Sequence, residues 1–551
     1  MTFKEWMKSG LPWIWLNAGC VAISLVLVVG LLGLIAVRGL GYFWPGSIAV
    51  IQMADAQTAT VLAGEIANEE EVSTQQLKSS GVNVSDNVHF HTRYLIKVGN
   101  RDLTGKDFVW VLGEHIKEKT YPDNIATVER WEYGNFYGDV MAVKEDNKII
   151  STPDNLWSEL QARIERSQKL HDETYRLEKN ELSKINVEKE KLKIEQKQLE
   201  TNSAASAGQI ESVTTALAEL DAHYHAAEKQ LTELHTQAAR DAVTLKTITG
   251  QTIDVPLSKV VRVYRPNQMS ILQKSGFYIM KVWEFLTEDP REANTEGGIF
   301  PAIFGTILMV ILMSIIVTPV GVIAAVYLRE YAKQGAVTRM IRIAVNNLAG
   351  VPSIVYGVFG LGFFVYFLGA NIDQAFFSEK LPSPTFGTPG LLWASITLSL
   401  LTLPVVIVAT EEGLARIPRS IREGSLALGA TQAETIWRVV LPMASPAIMT
   451  GLILAVARAA GEVAPLMLVG VVKLAPALPF DGSYPFLHLD RKFMHLGFHI
   501  FDVGFQSPNV EAARPLVYAT AFLLVLVIVL LNVSAIAVRN NLREKYKSLE
   551  M

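Results

Sequence analysis

Two opposite charges lie four residues apart in a long apolar stretch of the chain. Arg458 and Glu462 are the only charged residues between Met443 and Val472, and this spacing places both on one face of a helix, with Arg458 near its middle. A lone charge in a bilayer costs about 3 kcal/mol, whereas the forked donors of a guanidinium match the oxygens of a phosphate-like anion. The pair predicts an oxyanion site in the membrane, with Glu462 holding Arg458 between passages. The alternative is a structural ion pair that fixes helix packing.

A second candidate for the same path is a predicted helix start. Gly350 and Pro352 precede Ser353, and the free N–H groups of a first helical turn can face an anion. Ser353 is therefore a candidate path residue. The alternative is a helix start that packs on lipid headgroups.

Other reactive patterns are weaker. His495 and His499 have the spacing of a metal-binding pair but lack a third ligand, and no G-x-x-x-x-G-K-[ST] sequence occurs. The sequence also offers no paired nucleophile and base. We therefore expect no enzyme activity, no ATPase site in this chain, no metal and no cofactor, and the net charge of −4 gives no indication of nucleic-acid binding.

Apolar runs of bilayer length carry these residues. Half of the 551 residues are hydrophobic, which exceeds what a purely soluble chain needs. The first run ends at Arg38 without a small-residue cleavage site, so it is predicted to be an anchor. Six spans of a membrane α-helical fold are predicted: Ser9 to Val37, Gly297 to Leu328, Ile343 to Ile372, Leu381 to Thr410, Met443 to Val472 after Pro442, and Pro515 to Val538.

The distribution of basic residues orients these spans. Short loops rich in Lys and Arg remain in the cytoplasm, and such loops occur at the N-terminus, at 329–342, at 411–442 and at 539–547. Both termini are therefore predicted to be cytoplasmic. The large polar segment 44–290 is then extracytoplasmic, with residues 1–43 as the preceding anchor and 291–551 as a core of five spans.

The polar segment 44–290 is predicted to be an α+β insertion with a helical hairpin in its middle. Alternating patterns indicate strands at 92–98, 106–112, 137–143 and 258–264. The proline-free stretch of about 155–247 is broken at Thr201 to Gly208 and has heptad spacing from Ile210 to Ala238, which predicts an antiparallel coiled coil projecting well away from the membrane. It is either a rigid spacer or a docking arm for a soluble partner. A one-sided apolar pattern at Asn267 to Leu286 predicts an interfacial helix.

A polar loop, 411–442, separates the fourth and fifth runs. Its pattern is E-x5-G-x9-aliphatic-x-L-P, carried by Glu423, Gly429, Val439, Leu441 and Pro442. We expect a helix from Ile421 to Leu428, a turn at Gly429, a helix from Gln432 to Val440, and a new span opened by Pro442. The loop resembles the coupling loop of ABC importer permeases, which docks into a cytoplasmic ATPase.

Three further stretches are similar to the PstA-type permeases of phosphate-specific ABC importers. They are 297-GGIFPAIFGT-306, 348-LAGVPSIVYGVFGLG-362 and 457-ARAAGEVAPLMLVG-470. The resemblance covers nearly half of the chain and leaves out the insertion. It implies a multi-pass protein of the bacterial inner membrane, with the insertion on the periplasmic side, in contact with membrane lipid.

The resemblance also implies partners: a sister permease PstC, a homodimer of the cytoplasmic ATPase PstB, the periplasmic phosphate-binding protein PstS, and phosphate itself. Two alternatives stay open. One is a permease for another oxyanion, sulfate or molybdate, since such importers share the coupling loop. The other is a membrane-anchored sensor, which the short cytoplasmic tail disfavours.

Overall fold

Six apolar helices form the membrane part of the chain. The computed structural model describes residues 6–546 except 8, 54–60, 82–83, 85–87, 202–206, 292–293, 483 and 508–509. Among these, six helices are long and apolar enough to cross a membrane: Pro12–Gly41, Phe300–Tyr331, Ser353–Phe376, Leu391–Arg416, Gln432–Gly461 and Ala513–Glu544. The predicted number of spans is confirmed, with three bounds corrected.

The corrections concern the third, fourth and fifth spans. The third begins at Ser353, because the preceding residues form a separate amphipathic helix, Ala336–Leu348. The fourth begins at Leu391, after the proline- and glycine-rich stretch 382–390. The fifth ends at Gly461, well before the predicted Val472.

The fourth span lies at the centre of the bundle. Its buried Leu391, Leu398 and Leu401 share one core with the second and fifth spans. Most of its buried hydroxyls bond to their own helix, as Thr397 Oγ1 donates to the Trp393 carbonyl at 2.7 Å, whereas Thr410 Oγ1 has no partner among the described residues. Small residues bring the helices close: a Cβ on Gly451 would lie 2.6 Å from Ala409 Cβ.

Two antiparallel sheets form the insertion. The first has the order β4-β3-β2-β1-β5 and the second β10-β9-β7-β6-β11, with β8 paired to β7. The strands are β1 Ile48–Met53, β2 Val61–Ser73, β3 Phe90–Lys97, β4 Phe108–Leu112, β5 Ile116–Thr120, β6 Ala126–Arg130, β7 Phe136–Glu145, β8 Lys148–Ile149, β9 Asp241–Lys246, β10 Thr252–Pro256 and β11 Val260–Tyr264. The four sequence-predicted strands correspond to β3, β4, β7 and β11.

Long helices leave the second sheet between β8 and β9. The outgoing arm consists of Leu156–Arg176, a π-helical segment Leu177–Leu182 and Ser183–Thr201; the returning arm is Ala207–Ala239. Leu160 and Ile164 at the base of the outgoing arm pack into the core of the second sheet. Farther out, Lys189 pairs with Asp221, which gives the two arms an antiparallel arrangement.

Two expectations about the arms were wrong. The predicted hairpin bound of 247 includes β9, which pairs with β7 and β10 through the sheet; its alternating buried residues place it in the core instead. The outgoing arm also does not stand clear of the spans. Lys191 Nζ lies 3.5 Å from the carbonyl of Tyr484, in the loop between the fifth and sixth spans.

Buried charges join the second sheet of the insertion to the helix that precedes the second span. Glu129 of β6 and Arg262 of β11 lie beside the helix Ile271–Thr287, where Glu284 is 5% exposed. Glu284 accepts from Arg262 at 2.7 Å and also pairs with Arg291, while Lys281 donates to Glu129 at 2.8 Å. We call these five residues the outer junction. Its opposite charges satisfy one another within the chain, so the insertion is fastened at the point where the chain returns to the membrane.

Candidate functional site

Arg458 lies in the last turn of the fifth span. The helix Leu441–Gly461 ends three residues later, so the expected position near the middle of a helix was wrong. Ala455 and Ala459 on one face are fully buried in the bundle core. Leu454, Arg458 and Gly461 follow one another at helical spacing on the other face, where Leu454 is 56% exposed and a Cβ on Gly461 would meet nothing within 4 Å. Arg458 therefore lies on the open side of the bundle.

Glu462 pairs loosely with Arg458. The Arg458 Nε to Glu462 Oε1 distance is 3.6 Å, and the side chains are 33% and 20% exposed. In the part of the chain that the structure describes, no shorter contact to a carboxylate is seen for this guanidinium. A good charge-assisted hydrogen bond has a length of about 2.8 Å, so Arg458 retains donors for another acceptor.

The backbone leaves the helix immediately after this pair. Glu462 is extended, with φ −77° and ψ 133°, and a short helix, Leu466–Val469, follows Pro465. The helix is therefore fully broken from Glu462, three residues before Pro465. In transporters, interrupted helices with irregular backbone line a cavity rather than face lipid.

The third span packs against this break. A Cβ on Gly357 would lie 2.7 Å from Pro465 Cα, and one on Gly360 would lie 2.9 Å from Val469. Two of the sequence stretches quoted above, 348–362 and 457–470, are thus in direct contact. Ser353 begins the third span, between Val351 and Tyr356, which both pack on the core cluster that includes Ala459. No bond between Ser353 and Arg458 is seen among the described residues.

The coupling-loop segment folds as two helices around a tight turn. The first is Arg419–Ala427, and the second begins at Gln432 with Thr431 and Glu434 as a capping box. Gly429 has φ +91°, a conformation that favours glycine. Ser425 Oγ lies 2.9 Å from Thr435 Oγ1 and ties the helices together.

Pro442 does not open a new helix. The chain stays helical from Gln432 to Gly461 through a π-helical segment, Ile436–Val440. Proline has no N–H for the helical hydrogen bond, and the π-helical turn before Pro442 accommodates the missing bond. Leu441 and Pro442 therefore lie inside the fifth span, and the second loop helix is its direct extension.

Two ion pairs that the sequence analysis missed hold this face. Arg422 donates to Glu330 at 2.7 Å and to the carbonyls of Ile417 and Leu414. Arg342 pairs with Glu411 at 2.5 Å, and the Glu411 side chain is only 19% exposed. The sequence contains a signal for these pairs, because Glu330 and Glu411 both lie at the ends of apolar spans with arginines nearby in the loops. Sequence spacing alone, however, does not show which arginine pairs with which glutamate.

The tip of the loop is open. Glu423 is exposed, Leu428 is 91% exposed, and Trp437 on the second helix is 75% exposed. Exposed large apolar side chains beside a rigid turn are typical of a surface that a partner covers.

His495 and His499 are buried rather than arranged around an ion. Burial lowers the pKa of His495 to about 3 and that of His499 to about 4. His495 Nδ1 accepts from the Gly497 N–H, and His499 Nδ1 lies 3.3 Å from Thr520 Oγ1. No group of three metal-ligating side chains is found among the described residues.

Residues 317–548 match the family of binding-protein-dependent transport system inner membrane components. A Mycobacterium leprae protein named as phosphate transport system permease PstA is 35% identical over 40% of this chain and 68% of its own length. A probable ABC transporter permease of Bacillus subtilis, YqgH, is 35% identical over 36% of this chain and 62% of its own length. Residues 44–290 lie outside the matched family region.

Among solved structures, the inward-facing MetNI methionine ABC transporter is similar over 44% of this chain and 93% of its own. The identity is 18% and the TM-score is 0.31.

Proposed function

Because this chain belongs to the family of binding-protein-dependent inner membrane components, as a permease of the PstA type, we propose that it is the transmembrane permease of an ATP-driven phosphate importer. The family relationship supports a multi-pass inner-membrane protein. The orientation argued from basic loops then places the insertion in the periplasm and the coupling loop in the cytoplasm.

The observation that carries the proposal is the broken fifth span. Arg458 lies on the open face of the bundle, beside irregular backbone, and its single described carboxylate contact is a long one. A guanidinium in this state can accept phosphate oxygens while Glu462 offsets its charge and speeds release. Ser353 would contribute a hydroxyl from the facing helix start. One chain supplies half of such a path, so its open side fits a sister permease, PstC in this system.

The coupling loop supplies the second half of the mechanism. In the proposed complex, a homodimer of the ATPase PstB receives the tip around Gly429 and Leu428, and Glu423 lies exposed on the docking helix. Because the second loop helix continues into the fifth span through Leu441 and Pro442, a movement of the tip is transmitted along one helix toward Arg458. The phosphate-binding protein PstS would deliver substrate on the periplasmic side.

The test is uptake of radiolabelled phosphate by cells that carry Arg458→Gln. Loss of a charge-assisted contact should lower uptake by at least about tenfold, whereas co-purification with the ATPase should be unchanged. Arg543→Gln is the matched control, because Arg543 is an exposed arginine near the end of the sixth span and outside the coupling loop. Near-normal uptake in the Arg458 variant would overturn the assignment. Unlabelled sulfate and molybdate serve as competitors, and stronger competition by either than by phosphate would favour the alternative oxyanion.

A further inference from the structure

A cavity of about 540 Å³ lies where the insertion meets the ends of the first and last spans. The spans contribute Arg38, Tyr42 and Trp44 on one side and Arg514 and Tyr518 on the other. The sheets contribute Glu65 and Lys97, and the helix Ile271–Thr287 contributes Phe277, Lys281 and Glu284. The volume falls in the range of ordinary ligand sites, about 300–1,000 Å³.

The mouth of the cavity lies at the ends of the first and last spans, where lipid headgroups are expected. The first and last spans touch closely at its lower edge, where a Cβ on Gly39 would be 2.8 Å from the Tyr518 carbonyl. The helix Ile271–Thr287 exposes Leu272 by 84% and Trp283 by 68%. An amphipathic helix of this kind lies in the membrane surface, and tyrosine and tryptophan are enriched at the same level.

The charged side chains deep in the cavity are paired with other side chains of the protein. Lys97 lies 3.6 Å from Glu296, and Lys281 and Glu284 belong to the outer junction. Tyr137 donates to Glu65 at 2.9 Å, and burial, with Lys97 opposing it, raises the pKa of that carboxyl.

The two arginines at the mouth differ from these groups. Arg38 and Arg514 are both exposed, and among the residues that the structure describes neither has a carboxylate within ion-pairing distance. They lie on two adjacent helices at the same end of the spans and line one cavity. Two guanidinium groups without a carboxylate partner among the described residues, side by side at this level, can bind the oxygens of a phosphate group.

We propose that this cavity binds the phosphodiester headgroup of a membrane phospholipid, with Arg38 and Arg514 contacting the phosphate oxygens and Tyr42 and Trp44 flanking the glycerol region. A lipid in this position connects the first span, none of whose apolar stretch is buried, to the last span and the insertion. Free phosphate shares the same chemistry, but the depth of the mouth between two apolar helices favours the lipid.

The test uses the full chain, purified in detergent and stripped of lipid, with native mass spectrometry to count bound phospholipid. Phosphatidylglycerol and, separately, inorganic phosphate are the probes. The double variant Arg38→Gln/Arg514→Gln should retain phosphatidylglycerol about tenfold less well than the natural chain. The control is Arg416→Gln/Arg543→Gln, which removes two exposed arginines with the same change in charge. Equal retention by the double variant and the natural chain would overturn the proposal, as would binding of phosphate without lipid.

A second measurement needs no variant. A photoactivatable phosphatidylglycerol added to the natural chain should crosslink to residues 42–45, 513–516 and Tyr518, which line the cavity. Crosslinks confined to other spans would contradict the site. Neither measurement depends on uptake, so failure here leaves the proposed role of Arg458 untouched, and failure of that role leaves the lipid site untouched.

Discussion

The outer junction and the coupling loop both hold a polar segment against the spans, but they do so in different ways. The outer junction buries two carboxylates among three cations, and every member has a partner in the same chain. The coupling loop is anchored through Arg422 and Glu330, while its apolar tip stays exposed. A segment whose buried charges are all paired within the same chain acts as a fixed part of the structure. The coupling loop, anchored by ion pairs at its base but open and apolar at its tip, is suited to binding a partner. The comparison therefore separates permanent attachment from docking.

The largest effect is expected from Glu284→Gln at the outer junction. The change leaves Arg291 without its carboxylate partner, while Arg262 and Lys281 keep only Glu129, and breaking such a buried cluster costs about 3–5 kcal/mol. Thermal unfolding of the purified chain should shift to clearly lower temperature, together with faster trypsin cleavage between insertion and spans. Glu118→Gln, at an exposed position of β5, is the control. An unchanged melting temperature for Glu284→Gln would mean that the junction contributes no net stability.

The same cluster gives the direction of the pH dependence. Burial raises the pKa of Glu129, but Lys281 and Arg262 outweigh it and hold that pKa below its ordinary value. A carboxylate with a depressed folded pKa contributes stability that is present above the unfolded value, about 4.3, and is lost as the pH falls through the folded value. The Glu284→Gln comparison therefore belongs at pH 7, well above the pH range in which Glu129 titrates.

Sequence patterns predicted the parts of this fold whose signals are local. Apolar length identified six spans, and alternation identified β3, β4, β7 and β11. The helix end at Gly461 was missed although its signal is local, because Pro465 has no N–H to donate to the Gly461 carbonyl and its ring clashes with that carbonyl. The pairing of Arg422 with Glu330 was missed because it is tertiary, since 92 residues separate the partners. The short β9 was assigned to the hairpin because its apolar residues directly follow the heptad pattern of the returning arm and no proline separates the two.

A smaller effect is expected at the coupling loop from Arg422→Gln. The substitution removes the charge-assisted bonds to Glu330, worth about 1.5–3 kcal/mol, but it acts on a local segment. Global unfolding should change little, whereas amide hydrogen exchange across 417–435 should become faster and co-purification with the ATPase weaker. Arg419→Gln, at an exposed position of the same helix, should leave both unchanged. Exchange rates equal to those of the natural chain would show that the loop is held by its helices alone.

The smallest effect on stability is expected where the outgoing arm meets the loop at Tyr484. Lys191 lies over the Tyr484 ring at 5.7 Å, and that tyrosine is 72% exposed. An exposed cation–π contact contributes about 0.5–1 kcal/mol, so Lys191→Gln should leave thermal unfolding almost unchanged. The contact shares one property with each of the two regions compared above. Like the outer junction, it joins two segments of the same chain; like the tip of the coupling loop, it is exposed to solvent.

Proximity rather than energy is therefore the property to measure there. In a Cys20→Ser background, the pair Lys191→Cys and Tyr484→Cys should react with a short bifunctional thiol reagent. Lys184→Cys with Tyr484→Cys is the control, since Lys184 lies seven residues back along the same helix, about 10 Å at 1.5 Å per residue. An arm that rests on the loop gives crosslinking in the first pair well above the second. Equal, low yields would mean that the arm stands clear of the spans as a rod, and the contact with Tyr484 would then have no part in how the insertion is held.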